Sequence, residues 1–402
     1  MTQRILVIGT GFAGLWSAIG AARVLDREGR SDAVEVALVG PKPELAIRPR
    51  LYEAGAGAFK APLAELLEVL GIRFVQGMVE TIRAEAREVD IRSDDGAAAT
   101  LGYDRLVVAT GSSVVHPPIP GLVEHCFDVD QLDGAARLEA HLHGLAAQPD
   151  SPARNTVVVA GGGFSGIEAA AEMPARLRGI LGEDAAIRVV IVERADAIGP
   201  DLGPGPRPVI LEALNDLGVE MKLGAAVTAV DADGVTTGTG EHIAAKTVIW
   251  IGGMQPNPLV RQIASEKDRL GRILVDRDLF VPGSDGIFAT GDAACAATDD
   301  AGHHTLMSCQ HAIGLGRSAG HNVAASLLGL PSIPYSQPHY VTCLDLGPWG
   351  AVFTEGWDRQ IRLRGAEAKA LKTQINTQWI YPPRADRAEA FEQADPTRPI
   401  VA

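Results

Sequence analysis

The chain has 402 residues, enough for two or three domains, and its 46% apolar and 21% charged residues are typical of a globular protein with substantial cores. A net charge of −14 argues against nucleic acid or an anionic lipid surface as the main partner. The four cysteines lie far apart without C-x-x-C spacing, so the sequence predicts neither a disulfide framework nor a metal site.

The chain contains no signal typical of export or of membrane insertion. The first apolar run, residues 5–8, leads into glycines rather than into a cleavage site. No uninterrupted apolar stretch reaches the roughly 18 residues that a transmembrane helix needs. We therefore expect an intracellular, cytoplasmic protein without an integral membrane segment.

The N-terminal segment has the pattern of a strand, a glycine-rich turn and a helix. Residues 4–8 form an apolar run typical of a buried parallel strand, and residues 15–25 are typical of a helix. Between them stands the G-x-G-x-x-G motif Gly9-Thr10-Gly11-Phe12-Ala13-Gly14. Because strand and helix flank the motif in the right order, we interpret it as a dinucleotide-binding turn.

The same unit recurs about 150 residues later. Residues 156–160 form the strand, a second strand over 187–192 ends at Glu193, and the turn reads Gly161-Gly162-Gly163-Phe164-Ser165-Gly166. In such a turn the glycines allow a pyrophosphate to approach the backbone at a helix N-terminus. Two such turns in one chain indicate electron transfer between two carriers, since a single-cofactor dehydrogenase needs only one.

The two units differ at the position that binds the adenosine ribose. The second strand of the second unit ends at Glu193, which favours NADH over NADPH, although the neighbouring Arg194 weakens that preference. The equivalent position of the first unit is Gly40. There Lys42, Glu44, or backbone and water would have to take the ribose role.

Three later strands also end in small residues that let a cofactor approach the backbone. They run into Ala109-Thr110-Gly111, into Gly252-Gly253 and into Thr290-Gly291-Asp292.

The order of these motifs resembles the two-dinucleotide-binding-domain flavoproteins related to pyridine nucleotide-disulfide oxidoreductases. Within that group it is similar to type II NADH dehydrogenases and their soluble relatives, over roughly residues 1–330. The resemblance implies an α/β fold with two Rossmann-like domains. The FAD-binding domain would comprise 1–118 and 254–330, interrupted by an NAD(P)H-binding domain over 119–253 and followed by a C-terminal α+β interface or cap region over 331–402.

The resemblance also implies which residues hold the cofactors. The expected FAD contacts are Gly9, Gly11, Phe12, Ala13, Gly14, Arg48, Ala109, Thr110, Gly111, Asp292 (on the ribityl chain) and Gln310. The expected NADH contacts are Gly161, Gly163, Phe164, Ser165, Gly166, Glu193 and Gly252.

Two candidate catalytic residues follow from the same resemblance. Glu168 matches a glutamate that lies near the flavin and nicotinamide in the family; the alternative is a glutamate that stabilises a helix N-terminus. Gln310 lies in Cys309-Gln310-His311-Ala312-Ile313-Gly314, which resembles the family's A-Q-x-A-x-Q, whose two glutamines bracket a quinone headgroup. The second glutamine is replaced by Gly314.

Two arginines and two lysines have open interpretations. Arg48 and Arg50 would hold an anionic acceptor or the edge of the reduced flavin, or would form a salt-bridged loop. Lys369 or Lys372 would reach Glu168, as a C-terminal lysine does in the family, or would face solvent.

The C-terminal region departs from the repeated pattern. Residues 340–346 and 349–354 predict two antiparallel strands, and residues 366–379 predict a helix that packs against the FAD domain. Residues 384–402 would lie against the surface or be loose.

We therefore expect an FAD-dependent NADH oxidoreductase that passes hydride from NADH to flavin N5 and then electrons to a quinone or another small acceptor. One alternative is a sulfide:quinone-type oxidoreductase using Cys309 or Cys343; another is a non-turnover module that senses redox state by holding FAD and NADH. A ferredoxin-like partner is disfavoured by the acidic composition, and disulfide reduction is excluded because residues 54–66 contain no cysteine. A homodimer is left open.

Overall fold

A computed structural model describes residues 2–400 as a mixed α/β protein. Its strands, in chain order, are β1 Gln3–Ile8, β2 Val34–Gly40, β3 Glu44–Ala46, β4 Lys60–Pro62, β5 Arg73–Gln76, β6 Met78–Arg83, β7 Glu88–Arg92, β8 Ala98–Gly102, β9 Arg105–Val108, β10 Ser112–Val114, β11 Thr156–Ala160, β12 Arg188–Val192, β13 Val219–Lys222, β14 Val227–Asp231, β15 Gly234–Thr237, β16 His242–Ala244, β17 Thr247–Trp250, β18 Met254–Pro256, β19 Ile273–Leu274, β20 Ile287–Ala289, β21 Ala294–Cys295, β22 Val341–Asp345, β23 Ala351–Glu355 and β24 Gln360–Arg364. The helices are α1 Phe12–Arg27, α2 Ala64–Val69, α3 Leu122–His125, α4 Leu132–Gly144, α5 Phe164–Leu181, α6 Arg207–Asp216, α7 Cys309–Leu328, α8 Gly365–Gln374 and α9 Arg387–Gln393.

The first glycine-rich turn belongs to a parallel five-stranded sheet with the order β20-β9-β1-β2-β5. Alternate residues of β1 face opposite layers: Ile5 and Val7 pack against α1 and α7, whereas Leu6 and Ile8 pack against the antiparallel strands β6 to β8. Because both faces are covered, the central strands are continuously apolar, as the sequence predicted.

The second glycine-rich turn belongs to a parallel four-stranded sheet with the order β13-β12-β11-β17. Its two faces are again covered differently, by α5 and α6 on one side and by the antiparallel strands β14 to β16 on the other. The predicted α/β class with two Rossmann-like units is confirmed.

The chain crosses between the two units at one short antiparallel ribbon. β10 leaves the first unit and pairs with β18, which returns from the second, with Ser112 opposite Pro256 and Val114 opposite Met254. The predicted domain boundaries, 118/119 and 253/254, fall close to this ribbon.

The C-terminal region forms a small antiparallel sheet, β22-β23-β24, covered by α8. β22 and β23 lie where they were predicted, whereas β24 was missed. The predicted helix over 366–379 is α8 followed by a π-helical turn, Ile375–Trp379.

The last described residues lie against the first unit. Asp395 forms an ion pair with Arg23 of α1, and Arg387 forms one with Asp26 of the same helix (2.6 Å). Of the two alternatives predicted for this segment, contact with the surface is therefore the one observed up to residue 400. Within residues 2–400, none of the helices is both long enough and apolar enough to cross a membrane.

Candidate functional site

The first glycine-rich turn leaves an open space at the N-terminus of α1. Gly9 has φ +110°, and a Cβ at this position would lie 2.3 Å from the carbonyl oxygen of Ala109. A Cβ at Gly14 would lie 1.8 Å from the carbonyl oxygen of Gly9, whereas one at Gly11 would meet no atom within 4 Å. No side chain caps α1, so its first N–H groups face this space and suit an anion.

The second turn repeats this geometry at the N-terminus of α5. Gly161 has φ +121°, and a Cβ there would lie 2.3 Å from the carbonyl oxygen of Ile251. A Cβ at Gly166 would lie 1.9 Å from the carbonyl oxygen of Gly161, and α5 also lacks a side-chain cap. The nearest atom to a Cβ at Gly163 would be Asp201 Oδ2, 3.9 Å away. Both turns can therefore hold a pyrophosphate in the same way.

The residues between the glycines open the two helices. Phe12 and Ala13 are buried in the first unit, whereas Phe164 is half-buried and Ser165 exposed in the second. Gly252 follows β17, close to the second turn. A Cβ at this position would lie 2.1 Å from the indole ring of Trp250, which explains the glycine.

The two ribose positions are built differently. Glu193 accepts hydrogen bonds from the backbone N–H groups of Gly162 and Ala195, both at 2.7 Å. In the first unit, a Cβ at Gly40 would lie 2.4 Å from Cγ2 of Thr10, so the threonine fills the equivalent space.

One of the two side chains expected to replace the missing acid has another partner. Glu44 lies 3.0 Å from the ammonium group of Lys60 in an ion pair between β3 and β4. Lys42 is exposed.

Asp292, the residue expected to bind the ribityl chain, lies beside the first turn. It sits in the 3-10 turn Gly291–Ala293, and a Cβ at Gly291 would lie 2.6 Å from Cβ of Ala13 in α1. The Asp292 carboxylate accepts a hydrogen bond from Ser112 Oγ (2.5 Å) and lies 3.7 Å from Nη1 of Arg48. The structure thus brings Arg48, Asp292 and the start of α1 together.

The two arginines of the 48–50 turn are both salt-bridged. Arg48 pairs with Asp130 in addition to Asp292. Arg50 pairs with Glu53 at 2.7 Å and donates a hydrogen bond to the hydroxyl of Tyr381 at 3.2 Å. The salt-bridged alternative is therefore observed for both, and Arg48 adds a contact to the site.

Three polar atoms around this site are buried and have no partner: Thr110 Oγ1, Thr290 Oγ1 and Gln310 Nε2. They lie at the ends of the neighbouring strands β9 and β20 and at the start of α7. A buried polar atom without a partner costs free energy, which a bound polar ligand recovers. Together with the open space at Gly11, the two threonine hydroxyls fit FAD.

Glu168 forms a buried ion pair with Lys372 of α8. Nζ of Lys372 lies 2.8 Å from Oε1 of Glu168 and 3.0 Å from the carbonyl oxygen of Cys343. The backbone N–H of Asp345 also donates to Oε1 of Glu168, at 3.1 Å. Of the two candidate lysines, Lys372 reaches Glu168 and does not face solvent, whereas Lys369 contacts Asp345 at 2.5 Å.

Of the two groups in this pair, Glu168 is the one whose pKa lies near neutral pH. Burial raises the pKa of Glu168 to about 7, although the nearby ammonium group of Lys372 acts to lower it. Burial acts to lower the pKa of Lys372, but the charge of Glu168 outweighs it and the pKa is raised.

Lys372 also lies near the start of α7, where Gln310 stands. Its charge lowers the pKa of the Cys309 thiol, but burial outweighs this and raises that pKa to about 11. Burial likewise raises the pKa of Cys343 to about 12. Because the thiolate is the nucleophile, neither cysteine is suited to attack sulfur at neutral pH.

Two residues around the site were not selected by sequence reasoning: Ser112 and Asp345. Ser112 could have been found from its place directly after Gly111. Asp345 lies in the C-terminal region, where no motif points to it.

Comparison with known proteins is consistent with this geometry. A family model described as pyridine nucleotide-disulphide oxidoreductase matches residues 3–316. The chain is 46% identical to the NADH dehydrogenase-like protein Rv1812c of Mycobacterium tuberculosis, covering 98% of both chains. It is 30% identical to demethylphylloquinone reductase NdbB of Synechocystis, covering 87% of this chain and 86% of the relative. The fold is similar to that of NDH2 from Plasmodium falciparum in complex with NADH, with a TM-score of 0.77, 14% identity and full coverage of both chains.

Proposed function

Because the chain belongs to the pyridine nucleotide-disulphide oxidoreductase family, we propose that it oxidises NADH through bound FAD and reduces a quinone. The observation that carries this proposal is the repetition of one nucleotide-binding turn at the uncapped N-termini of α1 and α5. The overall reaction converts NADH, a proton and a quinone into NAD⁺ and a quinol. When bound, FAD supplies the carrier that takes hydride from NADH and delivers two electrons to the acceptor.

The first unit and its neighbours hold FAD in this proposal. The pyrophosphate lies at the N-terminus of α1, and Asp292 binds the ribityl chain while Ser112 and Arg48 fix its carboxylate. The proposed FAD contacts are those predicted from the sequence: Gly9, Gly11, Phe12, Ala13, Gly14, Arg48, Ala109, Thr110, Gly111, Asp292 and Gln310. The domain division at 118/119 and 253/254 is proposed with them, and the β10–β18 ribbon supports it.

The second unit holds NADH. Its proposed contacts are Gly161, Gly163, Phe164, Ser165, Gly166, Glu193 and Gly252. Glu193 uses one lone pair on each oxygen for a backbone N–H group, which orients the carboxylate and leaves further acceptor sites for the ribose hydroxyls. A 2′-phosphate would be repelled there, so NADH is preferred to NADPH.

The Glu168–Lys372 pair supplies a buried proton site. A carboxyl group with a pKa about 7 gives up or accepts a proton at little cost at neutral pH. Since the overall reaction consumes one proton, we propose that Glu168 holds it on its carboxylate, while Lys372 keeps its own proton.

The acceptor is a quinone in this proposal, as the name of the Synechocystis relative suggests. The raised thiol pKa values of Cys309 and Cys343 argue against sulfide as the electron donor. The cytoplasmic location and a homodimer stay predictions.

Steady-state kinetics test the function. We expect many turnovers of NADH per protein with a naphthoquinone, and slower consumption of NADPH. A single stoichiometric bleaching of the flavin without turnover would contradict the enzyme and favour a sensing module. Absence of any reaction with NADH would overturn the proposal.

A further inference from the structure

Gly314 has no side chain and leaves space on the surface of α7. The side chain of Gln337, from a distant segment, fills this space. A Cβ at position 314 would lie 2.6 Å from Oε1 of Gln337, which precedes β22. The amide of Gln337 thus occupies the space that a side chain at position 314 would take. Gly314 follows Gln310 by four residues, so this amide lies about one helical turn, roughly 6 Å, further along the same face of α7.

The amide of Gln337 is held in one orientation. The residue is 8% exposed, and the hydroxyl of Tyr335 donates a hydrogen bond to Oε1 at 3.0 Å. Burial raises the pKa of Tyr335 well above its ordinary value, so this hydroxyl keeps its proton. The backbone N–H of Gln337 donates to the carbonyl oxygen of Thr298 at 2.8 Å and fixes the segment.

The nitrogen of this amide has no partner. Nε2 of Gln337 is buried and makes no hydrogen bond, and the same holds for Nε2 of Gln310. Both atoms are N–H donors, so the ligand that satisfies them has to present acceptor oxygens. The amide of Gln337 packs at Gly314, and Gln310 precedes Gly314 by about one turn of α7. A flat molecule with carbonyl oxygens on opposite sides of a ring suits two amide donors supplied from these positions.

We propose that Gln337 binds one carbonyl oxygen of the electron acceptor and Gln310 the other. This inference rests on the proposed function and names the residue that recognises the quinone. Gln337 acts as a binding and positioning residue, supplied by a distant segment because position 314 carries no side chain.

The test uses one variant that removes the Gln337 amide and a second that restores an amide from position 314 of α7. Gln337→Ala removes the donor and opens the space beside position 314. The double variant Gly314→Gln/Gln337→Ala places an amide there from the helix itself. The matched control is Gln374→Ala, since Gln374 is an exposed glutamine of α8.

For Gln337→Ala we expect the KM for a naphthoquinone to rise about tenfold, the effect of one lost hydrogen bond, with kcat within about twofold. Reduction of the flavin by NADH and turnover with ferricyanide, which has no carbonyl oxygen, should be unchanged. The double variant should recover most of the quinone KM, and Gln374→Ala should behave as the parent protein.

An unchanged quinone KM in Gln337→Ala, or an equal loss with ferricyanide, would overturn the inference. If Gln337→Ala does not retain FAD, Tyr335→Phe provides a second test, because it frees the amide to rotate without removing volume. That variant should raise the quinone KM about threefold, and no change would count against the inference.

The two proposals can fail separately. Flavin reduced by dithionite and reoxidised by the quinone reports on Gln337 even if NADH does not react. If the quinone reoxidises the flavin of Gln337→Ala more slowly than that of the parent protein, the role of Gln337 is supported. Equal reoxidation rates for the two proteins contradict it.

Discussion

The two glycine-rich turns differ in which side chain fills the space between the turn and the end of the second strand of the unit. In the second, the residue between the first two glycines is Gly162, and its N–H binds the carboxylate of Glu193. In the first, the equivalent residue is Thr10, whose methyl group lies where a Cβ at Gly40 would be. A Cβ at Gly162 would lie 2.8 Å from Cδ1 of Ile198 and 3.1 Å from Cβ of Glu193. Each unit therefore has room for one side chain at this contact, either in the turn or at the end of the strand.

A second difference lies two residues after the last glycine. The first helix has Trp16 there, 2% exposed in the core and stacked under the guanidinium group of Arg317 at 4.6 Å. The second has Glu168, 4% exposed and paired with Lys372. The first unit thus uses this position for packing, whereas the second uses it for a titratable pair. Under the proposed function, the same backbone unit therefore serves two different coenzymes, and a few side chains make the difference.

The largest effect is expected from alanine at the last glycine of each turn. Gly14→Ala places Cβ 1.8 Å from the carbonyl oxygen of Gly9, which should cost about 2–3 kcal/mol and abolish FAD binding. Gly166→Ala makes the same clash with Gly161 at 1.9 Å, but should leave a yellow protein that NADH no longer reduces. The ratio of flavin to protein after purification checks both. Equal loss of flavin in the two variants would contradict the assignment of the units.

The next effect concerns coenzyme selectivity. Glu193→Ala should raise the KM for NADH about tenfold and leave that for NADPH nearly unchanged, because the carboxylate binds ribose hydroxyls but repels a 2′-phosphate. Steady-state kinetics with both coenzymes measure this. Glu220→Ala, which removes an exposed salt bridge to Arg188, is the control. An equal rise in KM for both coenzymes would mean that Glu193 only stabilises the turn and does not select the coenzyme.

A pH-dependent effect on stability distinguishes Glu168 from its counterpart Trp16. The folded state holds a proton on Glu168 up to about pH 7, whereas the unfolded chain releases it near 4.5. Between these values the folded state binds more protons, so this group lowers the free energy of unfolding as pH rises, by about 1 kcal/mol per pH unit. Above pH 7 the contribution is constant.

Denaturant unfolding of the parent protein and of Glu168→Gln at pH 5, 6, 7 and 8 checks this. The stability of the parent minus that of Glu168→Gln should fall from pH 5 to 7 and then level off. A difference that rises with pH would mean that the ion pair, rather than burial, controls the pKa.

The smallest effect is expected at Thr10. Thr10→Ala removes the methyl group that covers Gly40 but no ligand contact to the ribose, so FAD affinity should change less than about threefold. Fluorescence titration of the apoprotein with FAD measures it. A loss comparable to that expected for Glu193→Ala would mean that Thr10 binds the ribose itself.

The repeated units could be predicted from the sequence because their signals are local. An apolar strand, a glycine turn and a helix follow one another within about 25 residues, and the steric reason for Gly166 lies in the turn itself, at the carbonyl oxygen of Gly161. β24 was missed although Gln360–Arg364 alternates polar and apolar residues, because the strand has only five residues and four of them are exposed.

The residues that complete the site depend on distant contacts. Lys372 reaches Glu168, which lies 204 positions earlier, and on α8 alone it resembles a solvated lysine. Gln337 is recognisable only through the absence of a side chain at Gly314. Neither relation appears as spacing along the chain, because the sheet β22 to β24 determines where the C-terminal region meets α5 and α7.

An anaerobic titration with NADH tests the central claim most directly, since it follows both coenzymes in one sample. We predict one FAD per chain, bleached by about one equivalent of NADH and restored by one equivalent of a naphthoquinone. A protein that stays colourless when FAD is added, or a bound flavin that remains oxidised in excess NADH, would contradict the account.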